Sequence, residues 1–187
     1  MTKLILSFSD PADKELVLAL ARRLNLKVEE QEAEVSIKED KFWDIISRVE
    51  NQRNDCQVEA AIEHLASCSE PEIKGFAELL AEKLFMLDKQ IFAGERANTE
   101  TFSADTFLDE RAFVISQGKD FYETVINDPA KMPTGSICEQ LISIPEVAWK
   151  RKTGSRFDYL PSKNYFTYSN PDGWTKTNTL LTSLLDV

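Results

Sequence analysis

Few side chains in this 187-residue chain have the type and spacing needed for chemistry. His64 is the single histidine, with Cys68 four residues on, so a helix would place both on one face. A thiolate-imidazole pair is one use of that spacing. Helix-mates are seldom mutually activating, however, and a structural or surface histidine is the plainer reading. Asp105, Asp109, Glu110 and Arg111 form the second cluster. Asp105 and Asp109 share a helical face, which suits two metal oxygens or acid-base work. Acids in the first turns of a helix also favour its positive end, and that explanation is sufficient. Arg111, at the start of an apolar run, calls for a specific acidic partner on a neighbouring helix.

The three cysteines, Cys56, Cys68 and Cys138, are odd in number and widely spaced. With no CxxC and no Cys/His cluster, neither a disulfide framework nor a zinc site is expected, and the thiols read as buried and free. All six glycines stand apart, without a GxGxxG or phosphate-cradling loop, so nucleotide binding has no support. No catalytic residue, metal or cofactor is expected, and the pattern points away from an enzyme. The most suggestive surface is the tail from Ser155 to Lys176. Its aromatics, including Tyr165, Tyr168 and Trp174, lie among Ser, Asn, Pro and Gly, a mixture favoured at binding faces. The same tail would also serve as an extended strap over a helical core, with its rings buried.

The elements that must position these residues are mostly helices. DTFLDERAFVISQGKDFYETVINDP, residues 105–129, reads as two helices meeting at Gly118. Phe107, Leu108, Ala112, Val114 and Ile115 mark one apolar face, and Phe121, Tyr122, Val125 and Ile126 the other. Asp128-Pro129 ends the pair. Upstream, residues 3–8 read as a strand. Asp10-Pro11 opens a helix reaching about Asn25, and Val35 and Ile37 belong to a possible second strand. That predicts a small β-α-β-like module over residues 1–38, too small to fold alone, and a helical domain over 39–187. The module could dock in cis or pair across a dimer.

Helices are expected over 39–52, with Phe42, Trp43, Ile45, Ile46 and Val49 inward, and over 55–68. A further helix starts at Ser69-Glu70-Pro71-Glu72 and runs to Phe92, striped by Ile73, Phe76, Leu80, Leu84, Leu87 and Ile91. Residues 137–153 look helical on both sides of Pro145, where a kink or break is expected. Leu180, Leu181, Leu184 and Leu185 suffice for a short terminal helix. The fold class is therefore mainly α, α+β overall, with an aromatic-rich extended C-terminal segment.

Composition is ordinary for a globular chain, at 42% hydrophobic and 29% charged residues. No apolar run approaches the length of a membrane helix, and the N-terminus lacks a signal-peptide pattern, so a cytoplasmic protein with no membrane partner is expected. The net charge of −10 argues against direct nucleic-acid binding. It serves solubility, and it would steer the chain toward a basic protein.

The segments FWDIISRVE, EPEIKGFAELLAEKL and above all RAFVISQGKDFY, continued by AWKRKTG and SNPDGW, resemble a bacterial family, the domain of unknown function 4240. The likeness spans roughly residues 40–174. It implies a mainly helical domain and no particular activity. The chain departs from the family pattern at KQIFAGERANTETFS and in its N-terminal module.

Three functions fit these residues. The first is a non-enzymatic, acidic protein-interaction module of immunity-like or regulatory type that uses Tyr165, Tyr168 and Trp174. The second is a small-molecule-binding or hydrolytic domain with a pocket near Trp43, Asp109, Arg111 and Tyr122. The third is a scaffold that forms a homodimer through its N-terminal strands.

Overall fold

The computed structural model describes residues 11–24, 26, 35–52 and 55–174. The strand expected at 3–8 and the terminal helix expected at 178–187 lie outside them. The chain divides into two compact units, residues 1–33 and 34–187. In the first unit, α1 (Pro11–Arg23) begins on the proline whose missing N–H no helix bond requires.

The second unit opens with an extended run, Val35–Lys38, that is not a strand. It leads into α2 (Glu39–Ile46), which buries Phe42, Trp43, Ile45 and Ile46. The helices expected over 39–52 and 55–68 are both shorter than that. A hairpin lies between them, β1 (Glu50–Gln52) paired antiparallel with β2 (Asp55–Gln57), Glu50 opposite Gln57. The stretch Glu50–Asp55 carries two asparagines and an aspartate, whose side chains compete with helical backbone bonds and favour turns. Val49 and Cys56 still face the core. Asn51 joins the hairpin to the rest, donating through Nδ2 to the Ser116 carbonyl (3.1 Å) and accepting from the Ser116 hydroxyl (3.0 Å).

After α3 (Glu59–Ser67) comes α4 (Glu70–Met86), which packs against α2 and against the helices Ala104–Ser116 and Gln140–Thr153. Its start is as expected, since the Glu72 carboxylate takes both the backbone N–H and the hydroxyl of Ser69. Its end is not. The helix stops at Leu87 rather than continuing to Phe92, and a short α5 (Gln90–Ala93) follows the break. Leu87 is fully buried, whereas Ile91, placed in the same stripe by spacing alone, is 64% exposed.

A single-turn 3-10 segment, Gly94–Asn98, leads to α6 (Ala104–Ser116), capped by Ser103 accepting from the Thr106 N–H at 3.1 Å. Gly118, at φ +93°, turns the chain into α7 (Lys119–Asn127), so the corner forms as its residues predict. Finally α8 (Gln140–Thr153) ends at left-handed Gly154 and contains Pro145 without interruption. A proline removes one helix bond, but α8 is packed against both α3 and α4, and Pro145 is itself buried, so tertiary contacts hold the helix through it.

Cys56 in β2 and Cys138 just before α8 are disulfide-bonded, with Cα atoms 5.3 Å apart across 82 residues of sequence. This corrects the expectation of three free thiols. Sequence spacing carries no information about a pair whose approach depends on packing the hairpin beside α8. Cys68 alone is free, and buried. Among the described residues no helix is long and apolar enough to cross a membrane.

Candidate functional site

The break after α4 holds a dense cluster of polar contacts. Asp88, fully buried, turns its carboxylate inward and collects three N–H donors from the tail. These are the backbone N–H of Tyr168 (3.1 Å), that of Asn170 (2.9 Å) and the Trp174 indole (3.0 Å). Asn170 adds a bond from Nδ2 to the Phe85 carbonyl, and the Gln90 N–H donates to the Gly173 carbonyl at 2.7 Å. Gly173 is required by proximity: a Cβ there would sit 2.6 Å from the Asp88 carbonyl oxygen.

Opposite Asp88 stands Arg111, at 0% exposure the largest fully buried side chain. Its Nη1 donates to the carbonyls of Leu84 (2.9 Å) and Tyr165 (3.0 Å), its Nη2 to the Thr167 hydroxyl (2.9 Å), and its guanidinium stacks 5.0 Å from the Phe107 ring. Thr167 passes its own proton to the Ala104 carbonyl at 2.7 Å. The Arg111 and Asp88 charges approach to 4.0 Å. Burial pushes the arginine pKa down to about 10, partly offset by Asp88 and Asp109. Burial likewise raises the Asp88 pKa against the opposing pull of Arg111 and the tail N–H groups. Arg111 was expected to pair with an acid on a neighbouring helix; the acid it faces, Asp88, instead lies in the turn past the end of α4, and its hydrogen bonds go to carbonyls and the Thr167 hydroxyl. Around the pair, Phe102, Phe107, Tyr168 and Trp174 interlock, Tyr168 and Trp174 being 4.5 Å apart in an edge-on contact.

Further along α4 a second anchor holds the tail. Glu78 accepts from the Tyr159 hydroxyl, from the Ser162 N–H at 3.0 Å and from the Ser162 hydroxyl at 2.6 Å. Burial pushes the Glu78 carboxyl up, but the Ser162 and Tyr159 hydrogen bonds outweigh it and hold the pKa below the ordinary value. The tail is thus a strap fastened along α4 from Glu78 to Asp88.

The residues named from sequence fall into separate sets. Tyr165, Tyr168, Trp174 and Arg111 come together in the strap site. Trp43 and Tyr122 meet elsewhere, with rings 5.6 Å apart. The Lys83 ammonium lies 5.2 Å from the Trp43 ring centre and 5.3 Å from that of Tyr122, and pairs with Glu39 at 2.8 Å. Asp109 is half-buried on α6 beside the segment at Cys138, where burial first and then the nearby Glu139 and Asp105 carboxylates raise its pKa. The His64 ring faces Asp44 (3.4 Å), while the Cys68 thiol contacts the His64 carbonyl rather than the imidazole. Among the described residues no group of three or more His, Cys, Asp or Glu is arranged to hold a metal.

Sequence reasoning missed Asp88 and Glu78, and it took Glu110 only as one of the acids at the start of α6. Glu110, almost fully buried, is gripped by both terminal nitrogens of Arg96 (3.1 and 2.9 Å) and by the Gly135 N–H (2.6 Å). One signal for Asp88 was present. An acid directly after an apolar helix meets the helix's negative end, an unfavourable place unless other donors claim it. Glu78 carried no such mark, since an acid in mid-helix is ordinary.

Fold and site together define a helical protein whose aromatic tail is fastened by Glu78 of α4, Asp88 just past its end and Arg111 of α6. A family model described as protein of unknown function (DUF4240) matches residues 37–151, more than half of the chain, and the chain belongs to that family. The matched span contains Asp88, Glu110 and Arg111 but ends before the strap. No curated protein and no solved structure matches the chain.

Proposed function

We propose that this chain is a non-enzymatic module that binds another protein, in an immunity-like or regulatory role. One observation carries the reading: the strap is fastened at two places by buried or half-buried charges, so its outer side is a preformed surface rather than a loose tail. A rigid surface bearing Tyr, Phe and Leu binds with little ordering cost. The most prominent apolar side chains on that side are Leu160 and Phe166, while Tyr165 and Tyr168 are half-buried and Trp174 serves as an anchor. The charge of −10 would speed encounter with a basic partner. A cytoplasmic setting belongs to the same proposal. Thiols are kept reduced there, so finding the Cys56–Cys138 bond intact in protein taken from cells would argue for an oxidising compartment instead.

A pocket around Trp43, Asp109, Arg111 and Tyr122 has less support, because Lys83 occupies the space beside the two rings and Arg111 is committed to the strap. Of the N-terminal strands that dimerisation would use, the one expected at 3–8 lies outside the described residues, and the run Val35–Lys38 is extended without being a strand. The test is a capture experiment from the native source with wild-type protein and with the Leu160→Ser, Phe166→Ser double variant, followed by mass spectrometry. The reading expects one protein retained by the wild type and lost by the variant. Retention of nothing by the wild type, or of the same protein equally by both, would overturn it.

A further inference from the structure

The sign of the charge at the strap is opposite to that of the molecule. Between Trp149 and Lys163 the chain carries five cations, Lys150, Arg151, Lys152, Arg156 and Lys163, against one anion, Asp158. That local +4 sits in a chain of −10, leaving −14 for the remainder. Arg151 is taken up by Glu59 at 2.6 Å. Lys150, Lys152 and Arg156 are exposed and have no ion pair among the described residues.

The two most exposed apolar side chains of the strap lie in the same region, Leu160 at 87% and Phe166 at 61%. Neither exposure results from a loose chain. Tyr159 and Ser162, on either side of Leu160-Pro161, are both bonded to Glu78, so the tip is held with its leucine outward. Phe166 follows Tyr165, whose carbonyl is held by Arg111. The contacts order these groups along α4. Lys74 lies over the Trp149 and Tyr159 rings, Glu78 holds the tip, and Lys163 lies over Phe85 two turns on. The tip therefore follows directly on the basic end of α8.

We infer that this face is a docking site for an acidic protein segment carrying apolar side chains, with Leu160 and Phe166 as anchors and Lys150, Lys152, Arg156 and Lys163 as the charged rim. Two exposed apolar anchors in a stretch of excess positive charge match an interface with a desolvated centre and a polar edge. Local charge decides at contact, since charges farther away than a Debye length, about 8 Å at physiological salt, are screened. The same argument selects a short segment over an extended anionic surface. A bilayer or a nucleic acid would also meet the surrounding −14, whereas a segment the size of the strap meets chiefly its cations, with Asp158 and the hydrogen-bonded Glu78 as the anions nearby. The inference rests on the protein-binding reading and names the chemistry of its partner, whatever that partner's total charge.

The test uses a fluorescein-labelled peptide of alternating glutamate and leucine blocks, a counterpart with lysine for glutamate, and vesicles of phosphatidylglycerol with phosphatidylcholine. By fluorescence anisotropy the full chain is expected to bind the glutamate peptide and not the lysine one, with affinity falling as salt rises. Leu160→Ser with Phe166→Ser, and separately Lys150→Glu, Lys152→Glu, Arg156→Glu, should each weaken binding by at least about tenfold. All five positions are exposed, and unchanged circular dichroism establishes that the variants are folded. Binding of the lysine peptide, binding indifferent to the variants, sedimentation with vesicles in place of peptide binding, or no binding at all would each overturn the inference. If the peptide fails while the capture experiment still retains a strap-dependent protein, the acidic segment is wrong and the protein-binding reading stands.

Discussion

Removing the Arg111 guanidinium would leave Asp88 buried with no opposite charge, and would strip donors from Leu84, Tyr165 and Thr167. Breaking a buried pair from one side costs about 3–5 kcal/mol. Arg111→Leu should therefore lower unfolding free energy by that amount in urea titrations, and a loss under about 1 kcal/mol would show that the network is not load-sharing. Lysine is no substitute, because a single ammonium cannot reproduce the planar fork that reaches three separate acceptors. Arg111 Nε is the one buried side-chain polar atom left without a partner among the described residues, which marks where an ordered water would be useful.

Glu72 offers a test with a pH sign. The Lys41 hydrogen bond first, then the Ser69 N–H and hydroxyl, hold its carboxyl well below the ordinary 4.5, at about 2. A carboxyl depressed in the folded state stabilises fully above its unfolded value and loses that contribution as pH falls through its folded one. The stability gap between wild type and Glu72→Gln should be constant above about pH 4.5, at roughly 1 kcal/mol for a capping contact, and vanish toward pH 2. A gap that persists at pH 2 would remove the carboxylate as its cause.

At the scale of elements, the strap should behave as two fastened sections rather than one. Glu78→Ala removes the hydrogen bonds from α4 to Tyr159 and Ser162, leaving only Lys74 over the Tyr159 ring, and it leaves the Asp88 site intact. Hydrogen exchange should then accelerate at the Ser162 amide while the Tyr168 and Asn170 amides stay protected, with little change in melting temperature. Equal acceleration at all three would mean that the strap opens as a single unit. Much of this level was legible beforehand. The corner at Gly118 followed from apolar spacing and one glycine with positive φ, and the start of α4 from a serine, a proline and two acids. The early end of α4 was not, because Leu87 and Ile91 look alike to a helical stripe. What separates them is Asp88, whose inward turn is worth making only when Tyr168, Asn170 and Trp174 arrive from some eighty residues away in sequence.

At the scale of the molecule, the Cys56–Cys138 bond closes a large loop through the centre of the second unit. Restricting the unfolded chain over a loop of this size stabilises by about 4 kcal/mol in the chain-entropy model. Calorimetry with and without reductant should show a clear fall in melting temperature on reduction, and Cys56→Ser should reproduce it. An unchanged transition would mean that native packing at the hairpin supplies little beyond what the reduced chain already has. Net charge is a property of this scale too, and it misleads about contact: the −10 total predicts long-range encounter, while residues 150–163, which include the exposed Leu160, carry five cations and one anion.

By itself, the sequence determined what depends on neighbours within a turn or two: a mainly helical fold, the corner, the capped start of α4, an aromatic tail acting as strap, and an arginine in need of a partner. Only the tertiary structure decided what depends on distant segments meeting. It chose Asp88 as that partner, joined two cysteines that spacing kept apart, and made a hairpin of residues read as helix. It also turned Leu160 and Phe166 outward while burying Trp174. Periodicity reports which side of an element is apolar; which apolar residues remain in water is set by what the rest of the chain has to cover them.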